Sequence, residues 1–112
     1  MATTDTTTNP DEYEGWVNRE SWSVNLELAN DRDLHDRVLF LVDCAKVDDV
    51  DEHLLLIARD IEAMFRDWAD DVVSGTARED VRRLIVGVGS LERVDWREVA
   101  VEWRDNWREF AS

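Results

Sequence analysis

Lysine is almost missing from this chain: Lys46 stands alone, and every other basic residue is arginine. Cysteine is confined to Cys44 and proline to Pro10. A lone cysteine excludes an internal disulfide and accords with a reducing compartment. No uninterrupted apolar run approaches the roughly 18 residues needed to cross a bilayer. The opening "MATTDTTTNPDE" lacks the basic and apolar regions of a secretory signal. These absences point to a cytosolic protein without a membrane segment.

What is abundant is acid. There are 27 Asp and Glu residues against 13 Lys and Arg, a formal net charge of −14 over 112 residues. Two readings compete. Acids can mimic nucleic acid and occupy the basic groove of an enzyme that handles it. Alternatively, the host cell runs at molar salt, where the Debye length falls to about 3 Å and self-repulsion is tolerable. The scarcity of lysine favours the halophilic reading, because mimicry needs acids but has no reason to exclude lysine. Direct nucleic-acid binding is disfavoured. The arginines of "EDVRRL", "DWREV" and "EWRDNWREF" are interleaved with acids and form no basic stripe.

Residues 1–12, Thr- and Asp-rich, read as a disordered tail, and residues 13–112 as one helical domain. Asn18 is a good N-cap, with Val17 and Trp22 placed for a hydrophobic staple, and the helix it opens runs to about Asn30. Asp31 or Asp33 starts a second helix with Leu34, Val38, Leu41, Val42 and Ala45 on one side. Cys44, in the apolar run "VLFLVDCAK", is expected to be a small buried residue. Asp48 or Asp49 caps a long third helix whose apolar positions Val50, Leu54, Ile57, Ile61, Phe65, Trp68 and Val72 step by three and four. That helix stops at Gly75. Thr76 and Glu79 have capping-box spacing before a fourth helix faced by Val81, Leu84, Ile85 and Val88. Asp95 and Glu98 repeat the device before a fifth, carrying Trp96, Val99, Ala100, Trp103, Trp107 and Phe110. The fold expected is all-α, a compact single-domain bundle of about five helices.

The segment "YEGWVNRESWSVNLELAND" resembles the opening of a group of small proteins encoded by phages, plasmids and related mobile elements. Tyr13, Gly15, Trp16, Asn18, Trp22, Val24, Leu26, Asn30 and Asp31 match that pattern; Ser21 replaces its usual threonine and Glu27 a common second tryptophan. "VDWREVAVEW" is similar to the group's closing motif at Val94 to Ala100. The resemblance implies a virus or plasmid of a halophilic archaeon and brings no activity or catalytic residues with it. Trp16 and Trp22 are expected to clamp the first helix to "DWREVAVEW", making Trp16, Asn18, Trp22, Asp95 and Trp96 a structural motif that ties the two ends together.

Catalytic and metal chemistry finds little footing. His35 and His53 belong to no metal-ligand motif, and "DDVDEH" lacks the turn glycine and final glutamate of a calcium loop. "VGVGS" lacks the lysine of a phosphate loop and ends a helix rather than opening one. The expectation is no enzyme, no cofactor and no metal. A small accessory protein of a mobile element that binds a host or viral protein is favoured. A nucleic-acid-mimicking inhibitor and a virion structural or assembly component are the alternatives. Trp103 and Trp107 are candidate interface residues, since Trp and Arg dominate interface hot spots, although core packing of Trp103 serves equally well. If the acidity reflects habitat, circular dichroism will show helix lost as salt falls from molar to tens of millimolar; full cooperative folding without salt would favour mimicry.

Overall fold

Asn18, Asp31 and Asp49 each fold a side-chain oxygen back onto a backbone N–H three residues ahead, and those contacts set where the first three helices begin. The structure, a computed structural model, describes residues 13–111; the expected tail, residues 1–12, lies outside the described residues. The helices are α1 (Arg19–Asn30), α2 (Arg32–Cys44), α3 (Val50–Ser74), α4 (Glu79–Val88) and α5 (Trp96–Ala111), with a short 3-10 turn at Leu91–Arg93. Among the described residues the one extended pairing is an isolated bridge between Tyr13 and Trp16. The chain is all-α, as its periodicity predicts.

Helix α3, at 25 residues the longest, packs chiefly on α5 and α4, while α1 lies against α2, α4 and α5. Val24 and Leu28 of α1 meet Val38 and Val42 of α2, Ile57, Ile61 and Phe65 of α3, Val88 of α4 and Val99 and Trp103 of α5 in one core cluster. Each fully buried aliphatic or Phe side chain contributes about 1.5–3 kcal/mol through the area removed from water. No helix among the described residues is long and apolar enough to cross a membrane.

Several local expectations are corrected. Cys44 is exposed. Val38 and Val42 are four residues apart and share the buried face of α2. Cys44, two residues past Val42, is rotated about 200° from it, and the unbroken apolar run hid that periodicity. Phe40, in the same run, is 69% exposed. The Thr76–Glu79 capping box does not form: α4 starts at Glu79 behind Arg78, which makes no side-chain capping bond. Thr76 instead closes α3. Its N–H donates to the Asp71 carbonyl, beside Gly75 in the left-handed conformation at φ 80°. Val50 and Phe110 lie outside the core at 47% and 76% exposure.

Trp103 is the largest fully buried side chain. Trp103→Ala is expected to cost about 3–5 kcal/mol through lost burial and a cavity. Phe40→Ala is expected to change stability by no more than about 0.5 kcal/mol. Denaturant titration of both variants at one fixed salt concentration measures the contrast, and comparable losses would refute this placement of the core.

Candidate functional site

Most of the residues singled out in the sequence meet where the N-terminal ends of α1 and α5 lie side by side. Glu14 and Gly15 hold positive φ angles of 50° and 86° and make a tight turn, closed by paired Tyr13 and Trp16 backbone hydrogen bonds of 2.8 and 2.7 Å. That turn aims the Val17 N–H at both carboxylate oxygens of Glu98, 3.2 Å from each. Asn18 works in two directions: Oδ1 accepts from the Ser21 N–H at 2.9 Å, and Nδ2 donates to the Arg93 carbonyl at 2.7 Å. The Ser21 hydroxyl, fully buried, accepts from the Asp95 N–H at 2.8 Å. Asp95 in turn caps α5 by accepting from the Glu98 N–H at 3.1 Å. Asp95 is thus the predicted cap, whereas Glu98 spends its carboxylate on the other end of the chain.

Arg19 extends the junction to α4. Its guanidinium donates to the Gly87 and Val88 carbonyls at 3.2 and 3.1 Å and to the Ser23 hydroxyl at 3.1 Å, satisfying acceptors that the end of α4 leaves open. Gly89 holds φ at 91°, a backbone conformation that L side chains rarely adopt, where Arg19 approaches the end of α4. Glu20 pairs with Arg93 at 3.3 Å. Partial burial pushes the Glu20 carboxyl up, but hydrogen bonding to its own backbone and to Arg93 outweighs that and holds it below the ordinary glutamate value.

The aromatic groups behave differently from expectation. Trp22 pairs with Tyr13, ring centroids 4.8 Å apart, and steadies the N-terminal turn. Trp16 packs half-buried against the core. Trp96 leans on Phe65 at 5.7 Å and so joins the start of α5 to α3. The two ends are therefore tied mainly by polar groups, with Asn18, Ser21, Asp95 and Glu98 in the lead. Of the two candidate interface tryptophans, Trp103 is sealed in the core at 0% exposure and cannot present a contact face. Trp107 is half-buried, and its indole N–H donates to Asp43 at 3.2 Å.

Beyond this junction, α3 turns an acidic face outward. Asp60, Asp67, Asp70 and Asp71 are exposed there, and no ion pair to any of them is found among the described residues. At 1.5 Å rise and 100° per residue they fall within a sector of about 100° over about 16 Å of helix. Exposed Leu55 and Val73, at 57% and 87% exposure, are 18 residues apart and so share one line along the helix, about 60° beyond the Asp70 edge of that sector. The exposure of these apolar positions was hidden in a helix whose apolar pattern is nearly continuous. A separate cleft of about 420 Å³ lies over Trp68 and Leu34, where α2 and α3 meet the start of α4. Its rim carries Glu27, Asp31, Asp33 and Asp80 with Arg37, Arg78 and Arg83, so it selects no single ligand charge. Among the described residues no three His, Cys, Asp or Glu side chains converge as metal ligands.

No family model matches this chain, and neither the curated proteins nor the solved structures contain a match to it.

Two substitutions probe the junction. Ser21→Ala leaves the Asp95 N–H without its acceptor and is expected to cost about 1–3 kcal/mol, read by chemical denaturation. The Glu20–Arg93 pair follows pH with a definite sign. Because the folded state holds the Glu20 carboxyl low, its contribution is present above the ordinary value of 4.5 and is lost as pH falls through the lowered one. The stability gap between the wild type and Glu20→Gln is therefore expected to be widest near neutrality and to close under acid; a gap unchanged by pH would remove the pair from the account.

Proposed function

We propose that this protein is a non-catalytic acidic binding module, an accessory factor of a virus or mobile element that engages a host or viral protein through the outer face of α3. The observation that carries the reading is the pairing of unneutralised carboxylates at Asp60, Asp67, Asp70 and Asp71 with exposed Leu55 and Val73 on the same helix. Carboxylates pair with basic groups in direct contact, within the Debye length of about 3 Å left at molar salt, while desolvated apolar side chains supply the contact energy. Non-catalytic action is supported by the His53 imidazole, which is engaged by Val42 and Arg104 and is not offered to a substrate. Arg66, Arg78, Arg82 and Arg97 are held in ion pairs with neighbouring acids, which argues against contact with nucleic acid itself.

The same array supports nucleic-acid mimicry as a second reading, since four carboxylates line one exposed helical face. One experiment addresses both. Tagged wild type and a variant with Asp60, Asp67, Asp70 and Asp71 all changed to Asn are passed through lysate of a halophilic host at molar potassium chloride. The retained protein is identified, purified and titrated against each form. At least tenfold weaker binding by the variant, with helix content unchanged, is expected. Competition by duplex DNA for the same partner would select mimicry. Retention of viral structural proteins, or of the protein itself in sedimentation, would select assembly. Equal binding by the variant would remove α3 from the interface.

A further inference from the structure

His53 has 0% exposure, in the first turns of α3, and both of its ring nitrogens are occupied. Nε2 lies 2.9 Å from the Val42 carbonyl, which can only accept, and Nδ1 lies 3.1 Å from Nε of Arg104, which can only donate. The two neighbours therefore fix one tautomer: Nε2 carries the proton and Nδ1 offers its lone pair. The edge of the imidazole meets Trp107 at a centroid separation of 5.3 Å, and Trp107 reaches on to Asp43. One buried ring thus joins the end of α2, the start of α3 and the second half of α5.

We propose that His53 is an acid-operated latch for the C-terminal half of α5. A proton added at Nδ1 sets N–H against the N–H of Arg104 and places two cations in contact in a buried position, with no acceptor for the new donor. The groups around the ring frame this balance. From α5 comes Arg104, which opposes the added charge. From α2 come the Val42 carbonyl and, through Trp107, the Asp43 carboxylate. On its own helix lie the positive end of the α3 dipole, also opposing, and the exposed carboxylates Asp49, Asp51 and Glu52 at the helix start. Asp51 is drawn off by Arg97 at 3.2 Å. With Val42 able only to accept and Arg104 able only to donate, a proton at Nδ1 is accommodated only if Arg104 gives up its place. Arg104 leaves the ring, and Trp107 loses its seat.

The chain contains two histidines, His35 and His53. Lowering pH from about 7.5 to about 5.5 titrates imidazoles while ordinary carboxylates stay charged. Over this range at molar salt, amide exchange of residues 104–110 is expected to speed up about tenfold relative to α1, and the Trp107 indole resonance to shift. His53→Gln, which keeps a donor toward Val42 but cannot gain a charge, is expected to lose the response; His35→Gln is expected to keep it. If His53→Gln does not fold, nitrogen-resolved NMR of the wild type decides. Nδ1 must be bare near neutrality, and the Trp107 shift must share its midpoint with the second imidazole proton. An unchanged response in His53→Gln, its loss in His35→Gln, or a charged His53 with Arg104 and Trp107 unmoved would each overturn the latch, as would no response at all.

Discussion

The hydrogen bond from the Asp95 N–H to the buried Ser21 hydroxyl is the contact on which the rest of this architecture depends. It joins the first turn of α1 to the residue that caps α5, and Asn18 and Glu98 repeat the exchange on either side of it. Helix N-termini carry donors that no helix can satisfy internally. Here each helix takes part of that debt from the other, so two starts that would be frayed alone become one rigid corner. Arg19, leaving the same turn, closes the end of α4. With α1 fixed to both α4 and α5, Val24 and Leu28 are held against α2 and the core fills.

Much of this was legible in the chain. Asn18, Asp31 and Asp95 declare themselves as caps because a short polar side chain before an apolar period has one economical use. Gly75 declares a stop because the left-handed conformation suits a residue without a Cβ. Helix type and order follow from the three-and-four spacing of the apolar residues. What the sequence could not disclose is where a side chain goes when two partners are within reach. Glu98 has capping-box spacing from Asp95, yet it bonds Val17, which is 81 residues away. Thr76 has the same spacing from Glu79 and instead completes the end of α3. Spacing is a local signal, and these choices are settled by long-range geometry.

The tryptophans teach a related lesson. Six of them in 112 residues suggest an interface, but ring size alone does not say which side of a helix faces out. Trp103 falls on the line of Val99 and Ala100 and is sealed; Trp107, four residues on, reaches the rim. The outward surface belongs instead to α3, where acids and a few bare aliphatic groups share one long helix. His53 belongs to no metal-ligand motif in the sequence, and the structure buries it completely. Its pairing with Arg104 had no counterpart in the sequence, because 51 positions separate them.

The corner that joins the two ends also fixes an order of events in time. Its hydrogen bonds link positions 74 to 81 residues apart. During synthesis at about 5–20 residues per second, α1 emerges about 4–15 s before its partners exist. Throughout that interval Ser21 has no backbone donor from Asp95 to accept and Arg19 no helix end to close. The start of α5 is thus what completes the start of α1, and a ribosome that stops short of Asp95 releases a chain whose opening helix can reach α2 and α4 but lacks its corner with α5.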